Sequence, residues 1–366
     1  MGVVVREKPP GSGVYWVFVN HKNQRTSKRV GSEKAALKVA EQLEAHLVLG
    51  SLDIDKKDIP TLKKYSEEWL DKVVKLSRKH ATHRAYKIIL DTHVNPVLGS
   101  KRLDEITAKD VSDLVLAKIG AGLRSVTVRC IKDCLGAVLK RAVHPDGYIK
   151  ANPTRGVEVP KPIDEVSVRV PDPLTWEERD ILEATFREHY PAHYPMIVCG
   201  FRTGLRIGEL TALQWGDIDF VKRQILVQRN VSNGRVTTPK SKSSRRLVRM
   251  TSALVEVLER HRRVMIEKTL RKGWGEVPEW VFAAEEGGFI HYPRFMEKVW
   301  DKALTKSGLR RRTPHDMRHS YATLRLSKGD SLAEVSKELG HASADITYKT
   351  YYTWMPTESA TDIDEL

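Results

Sequence analysis

From Gly156 the chain runs Gly-Val-Glu-Val-Pro-Lys-Pro and then on to Pro171-Asp172-Pro173, with four prolines beyond position 159 and no helical period. Proline fixes φ and has no amide donor, so neither a helix nor a central strand passes through such a stretch. A chain of 366 residues broken in this way is expected to fold as more than one body. We assign residues 159–172 to a linker.

Upstream of that break lie two successive patterns. Val14 to Val19 alternate as a strand, Asn20 to Asn23 form a turn, and Gln24 to Val30 return. Ser32 is placed to cap a helix in which Ala36, Leu37, Ala40, Leu43 and Leu47 recur at helical spacing up to Gly50. Residues 1–55 are thus predicted to be a two- or three-stranded sheet with one helix, bearing Lys22, Arg25, Lys28 and Arg29. Residues 56–158 read as a four-helix domain. Leu62, Tyr65, Trp69, Leu70 and Val73 form one stripe, and Tyr86, Ile89, Leu90 and Val94 a second. Thr107-x-x-Asp110 is a capping box opening the third helix, and Val128, Ile131, Leu135, Val138 and Leu139 mark the fourth.

Residues 173–366 open on another capping box, Thr175-x-x-Glu178, and are mainly helical with one β insertion between Asp217 and Met250. The insertion is predicted to have three strands: Ile225-Leu226-Val227, a return strand Val236-Thr237-Thr238 after the Asn233-Gly234 turn, and Arg246-Leu247-Val248. Lys240 and Lys242 fall in the turn between the last two. The expected fold class is mainly α with small β elements (α+β).

Charge indicates the kind of partner. Lys plus Arg total 62 against 47 Asp plus Glu, a net +15, which favours a polyanion through phosphate contacts and counterion release. The basic residues are clustered, in Lys22 to Arg29, Lys240 to Arg246, Arg260 to Arg263 and Arg310 to Arg312. From these runs Arg245, Arg246, Arg311 and Arg312 join Lys22, Arg25, Lys28 and Arg29 as candidate DNA contacts. Cys130, Cys134 and Cys199 show neither a metal-ligand nor a disulfide pattern, which fits a reducing cytoplasm. No apolar run approaches the roughly 18 residues of a membrane span.

The residues that carry chemistry are spread over four short segments: Thr203 to Leu210 with Arg206, His315-Asp316-Met317-Arg318-His319, Leu339-Gly340-His341, and a helix with Tyr348, Tyr351 and Tyr352. Phosphoryl transfer needs cations on the non-bridging oxygens, an in-line nucleophile and an acid for the leaving oxygen. Arginine suits the first task because its planar fork binds two oxygens and stays charged. Arg206 follows a tight turn into a helix start, with Glu209 placed to hold a neighbour. His315 and Arg318 share a helix face after Thr313-Pro314, and Gly340 ends the helix before His341. Each feature alone also fits a capped helix end or a packed side chain, and spacing alone does not choose among the three tyrosines. His315 and His319 lack the glutamate of a zinc helix, with Arg318 between them to repel a cation, and no phosphate-cradling glycine loop is present. No metal or cofactor is expected.

Taken together, these four segments resemble the tyrosine recombinases, the phage-integrase family, over about residues 173–356. The upstream segments resemble the arm-binding (1–55) and helical core-binding (56–158) domains of integrases from phages and integrative elements. The resemblance implies that Arg206, His315, Arg318 and His341 activate the phosphate, that Tyr351 is the nucleophile, and that Glu209 is a structural acid. It also implies a hairpin lysine as general acid, Lys240 in Thr238-Pro239-Lys240-Ser241 rather than Lys242, with Lys242 and His319 as auxiliaries. Where most members have histidine two residues beyond the nucleophile, this chain has Thr353. The implied activity is integration, and excision, of a mobile element through a 3′-phosphotyrosyl link. A homotetramer would act on double-stranded DNA with core-type and arm-type sites, aided by DNA-bending and directionality proteins, at the bacterial nucleoid. Two alternatives stay open: a type IB topoisomerase-like relaxing enzyme, and an inert DNA-binding or architectural protein.

Overall fold

In a computed structural model, which describes residues 2–21, 24–48, 58–162, 171–238 and 244–355, the chain divides into two compact units, Met1–Glu165 and Val166–Leu366. The division falls inside the 159–172 stretch. On one side of it the carbonyl of Val157 accepts from Lys132 (3.0 Å); on the other, Arg312 holds Asp172 (3.3 Å).

The first unit begins with an antiparallel sheet in the order β1 (Gly2–Glu7), β2 (Tyr15–His21) and β3 (Gln24–Gly31), followed by α1 (Glu33–Val48). Val17 and Val19 point at Ala36 and Ala40 of α1, the arrangement expected of period-two alternation meeting a helical stripe. The strand β1 pairs with β2 from Gly2↔Asn20 to Glu7↔Tyr15. It was not legible as a strand because Val3, Val4 and Val5 are consecutive; Val3 and Val5 pack inward, whereas Val4 is exposed.

The helical part of this unit has four helices: α2 (residues 62–77), α3 (80–98), α4 (Ala108–Gly120) and α5 (Ser125–Val143). Thr107 and Asp110 form the expected reciprocal cap, with N–H donations of 3.2 and 2.9 Å. Both α2 and α3 contain one π turn, Leu70–Val74 and Leu90–Val94. A π turn inserts one extra residue and rotates the remainder of the helix, so Val74 rather than Val73 becomes fully buried. Of the cysteines, Cys134 and Cys199 are buried and Cys130 is exposed.

The second unit comprises α6 (Trp176–His189), α7 (Tyr194–Thr203), the short α8 (Ile207–Leu210), a β region, α9 (Ser252–Lys272), α10 (residues 292–307), α11 (His315–Leu326), α12 (Leu332–Leu339) and α13 (Ala344–Tyr351). Its main core gathers Phe186, Ile197, Ile225, Val248, Trp300 and Met317. A smaller core, Tyr321, Leu326, Val335, Leu339 and Tyr351, binds the last three helices together.

The β region differs from the expected three-stranded order. β5 (Gln224–Val227) pairs with β4 (Ile218–Asp219) and with β8 (Arg246–Arg249), whereas the Asn233-Gly234 turn closes a separate ribbon of β6 (Asn230–Ser232) and β7 (Arg235–Thr237). The Asn-Gly signal located a turn correctly but joined it to the wrong strand. Arg229, held by Asp217 at 2.6 Å, marks the point where the chain leaves one sheet for the other.

Gly204 ends α7 at φ 62°, with its amide bonded to the Gly200 carbonyl at 3.0 Å. A Cβ there would lie 2.4 Å from the Tyr321 ring and 3.0 Å from Leu339. Gly204→Ala is therefore expected to destabilise the protein by about 2–4 kcal/mol, combining left-handed strain with overpacking. Chemical denaturation measures this, and an unchanged midpoint would contradict the packing described.

Candidate active site

Arg206 is the residue before α8, and Glu209 lies in the first turn of that helix. The Glu209 carboxylate accepts from the Arg206 amide (2.9 Å) and from Arg206 Nη1 (2.9 Å). The same two oxygens also accept from Arg246 Nη1 and Nη2 at 3.2 and 3.0 Å. Burial pushes the Glu209 pKa up, but hydrogen bonds and charge from Arg246 and Arg206 reverse this and hold it below its ordinary value. Arg206 keeps 35% of its side chain exposed, so its guanidinium is both fixed and accessible.

Arg318, on α11, is buried and donates to two backbone carbonyls, Gly204 (2.8 Å) and Leu339 (2.7 Å). Among the described residues no carboxylate forms an ion pair with it. A buried cation satisfied by carbonyls alone is suited to an anionic ligand. These two bonds also join the end of α7 to the end of α12. Beyond α12, Gly340 takes φ 68° and the amides of Gly340 and His341 fold back onto Lys337 and Ser336 (3.0 and 3.1 Å), which delivers His341 at the C-terminus.

His341 Nδ1 is bonded to Thr347 Oγ1 at 2.7 Å. Its pKa is pushed down to about 4, first by desolvation and then by Arg318, Arg206 and Arg246. His315, at the start of α11 and still exposed, is shifted the same way by partial desolvation, His319 and Arg318. Asp316 caps the start of this helix by accepting from Thr313 N and Oγ1 (2.7 and 2.9 Å). His319 meets His315 edge-on at 4.9 Å and hydrogen-bonds the Tyr351 hydroxyl at 2.8 Å. Tyr351 is 1% exposed, and burial raises its phenol to about 12 against the pull of Arg318 and Arg206. Tyr348 and Tyr352 are exposed and pack on each other, away from this cluster.

The structure thus brings together Arg206, Glu209, His315, Arg318, His319, His341 and Tyr351. Lys22, Lys240 and Lys242 lie outside the described residues. Arg25, Lys28, Arg29, Arg245 and Arg311 are exposed, as a nucleic-acid contact requires. Two candidate DNA contacts are corrected. Arg246 is buried between Glu209 and the Glu338 carbonyl, and Arg312 is buried against Glu178 (3.1 Å) and Asp172. Both are internal ties. The inward direction of Arg246 was readable from β8, where Arg246, Val248 and Met250 alternate onto the buried face. The support beneath the site was missed: Glu338 accepts from Tyr321 and Arg325, joining α11 to α12. Nothing local in the sequence marks that triad.

Among the described residues no cluster of three His, Cys, Asp or Glu side chains is placed to hold a metal ion, and no helix is long and apolar enough to cross a membrane. Residues 177–357 match the phage integrase family, and residues 61–118 match the phage integrase N-terminal SAM-like domain. The chain belongs to the phage integrase family, whose members include tyrosine recombinases. It is 29% identical to a tyrosine recombinase XerC-like protein of Caldanaerobacter subterraneus subsp. tengcongensis, over 87% of this chain and 85% of that one. It is 27% identical to the ICEBs1 integrase of Bacillus subtilis, over 76% of each. Its fold matches the Tn1549 transposon integrase solved with a circular intermediate DNA, at TM-score 0.66 and 21% identity, over 80% of this chain and 95% of that one. It also matches a lambda integrase tetramer bound to a Holliday junction, at TM-score 0.61 and 17% identity, over 96% and 94%.

A histidine whose folded pKa is depressed contributes stability above its unfolded value that is lost as pH falls through the folded one. For His341 that window runs from 6.5 down to about 4. The thermal midpoint is expected to drop across this range, and to drop less in His341→Gln. Calorimetry at pH 7, 5.5 and 4 tests this; identical acid profiles for the two proteins would contradict it.

Proposed function

We propose that this chain is a site-specific DNA recombinase that cuts and rejoins strands through a 3′-phosphotyrosyl intermediate at Tyr351. The supporting observation is that two guanidinium charges, Arg206 and Arg318, act together on His315, His341 and the Tyr351 phenol. Arg206 and Arg318 would take the non-bridging oxygens of the scissile phosphate, and neutral His315 and His341 would donate hydrogen bonds to them. Lys240 would protonate the departing 5′ oxygen, with Lys242 nearby as an auxiliary. The Tyr351 oxygen–phosphorus bond forms as the bond from phosphorus to the 5′ oxygen breaks, and a 5′ hydroxyl of a second DNA reverses the exchange. One phosphodiester replaces another, so the sequence requires no nucleotide or metal.

The rest of the chain suits this reading. We assign residues 1–55 to arm-type sites, 56–158 to core-type sites, 159–172 to a linker and 173–366 to catalysis. Working as a homotetramer with bending and directionality proteins at the nucleoid, the protein would integrate and excise a phage or other mobile element. Relatives named as an integrase of ICEBs1 and of a prophage support the mobile-element role. The lambda integrase solved as a tetramer on a Holliday junction supports the assembly.

Tyr351→Phe is expected to abolish a denaturant-stable protein–DNA adduct on a nicked attachment-site duplex while leaving DNA binding within about twofold, because one buried hydroxyl is all that changes. Tyr348→Phe and Tyr352→Phe should leave the adduct intact; loss of adduct in either one moves the nucleophile. Deleting residues 1–55 should impair integration more than core-site cleavage, and equal loss in both assays would remove the arm-site assignment.

A further inference from the structure

We infer that His319 is a catalytic residue, the proton acceptor for the Tyr351 hydroxyl, an assignment that rests on the phosphotyrosyl mechanism proposed for Tyr351. The contact is direct: His319 Nδ1 lies 2.8 Å from Tyr351 Oη. A phenol raised to about 12 is not ionised near neutrality, so its attack on phosphorus needs a base at hand. The other two imidazoles are placed for different work. His341 Nδ1 is engaged by Thr347, and His315 touches the edge of the His319 ring rather than the phenol. With Tyr351 1% exposed, bulk water has little access to the same proton.

His319 directly follows Arg318 on α11, so the acceptor lies beside one of the guanidinium groups assigned to the phosphate. In the step itself the proton passes from Tyr351 Oη to His319 Nδ1 as the oxygen–phosphorus bond forms. The bond to the 5′ oxygen breaks, and that oxygen takes a proton from the general acid, assigned to Lys240. Rejoining runs the same transfers backwards.

His319→Asn separates positioning from proton transfer, because the amide Oδ1 can accept the phenol hydrogen bond from nearly the same place but is not a base. Single-turnover adduct formation on a nicked core-site duplex is expected to slow by about 10²–10⁴-fold, with DNA affinity and melting temperature near wild type. On a duplex whose scissile 5′ oxygen is replaced by sulfur, the leaving group needs no acid. The His319→Asn defect should persist there while a Lys240→Ala defect is relieved. If the asparagine variant melts early, His319→Gln takes its place in both assays. A wild-type rate in a folded variant overturns the assignment, as does a defect that disappears with the sulfur substrate. Absence of any adduct from the wild-type protein would instead refute the recombinase reading itself.

Discussion

The site depends on one buried carboxylate. Glu209 accepts from both Arg206 and Arg246, so a single acid fixes a partly exposed guanidinium and a buried one at once. The cost of removing its charge from water is offset only because both cations and the Arg206 amide are in place; loss of one partner from such an arrangement typically costs about 3–5 kcal/mol. Arg246 is the inner half of the arrangement. It begins β8, directly after the segment carrying Lys240 and Lys242, and its Nε also holds the last turn of α12 through the Glu338 carbonyl. Segments distant in sequence are thereby registered against one another before any substrate contact.

Arg318 carries out the complementary task without an acid. Its two carbonyl partners belong to Gly204 and Leu339, one residue before an αL glycine in the second case and the αL glycine itself in the first. Backbone oxygens orient a guanidinium and satisfy its N–H groups while leaving its net charge in place, whereas a carboxylate would cancel it. This explains why both αL turns lie at the site. Each turns its chain so that a carbonyl faces inward and the next functional residue, Arg206 or His341, emerges on the same side. Desolvation first, and the neighbouring cations second, hold His315 and His341 in the neutral form, so they can share hydrogens without adding further repulsion.

Legibility in the sequence tracked how local each cause was. The capping boxes at Thr107 and Thr175, the αL glycine after α12 and the stripe of α5 are determined by residues within one or two turns, and they were readable. The π turn at Leu70–Val74 was not, because Val73 and Val74 are equally apolar and either fits the stripe. The pairing of β5 with β8 across the 230–237 ribbon is a non-local choice, and the Asn233-Gly234 turn drew attention to the nearer partner. At the site, the segments that carry Arg206, His315, Arg318 and His341 stood out by residue type and spacing, whereas the choice of Tyr351 among three tyrosines came from the family resemblance. Of their supports, the inward face of Arg246 was marked only by the alternation of β8 inside a basic run, and the Tyr321–Glu338–Arg325 triad joins two helices by contacts that no local pattern records.

The burial of Tyr351 gives this arrangement its direction. Tyr348 and Tyr352 sit exposed. Tyr351 is instead enclosed with Leu339 and Tyr321, and its hydroxyl meets one imidazole, that of His319. In the proposed reaction Arg206 and Arg318 would bind the phosphate and His319 would take the phenolic proton, so substrate binding and activation of the tyrosine would draw on adjoining side chains of one cluster.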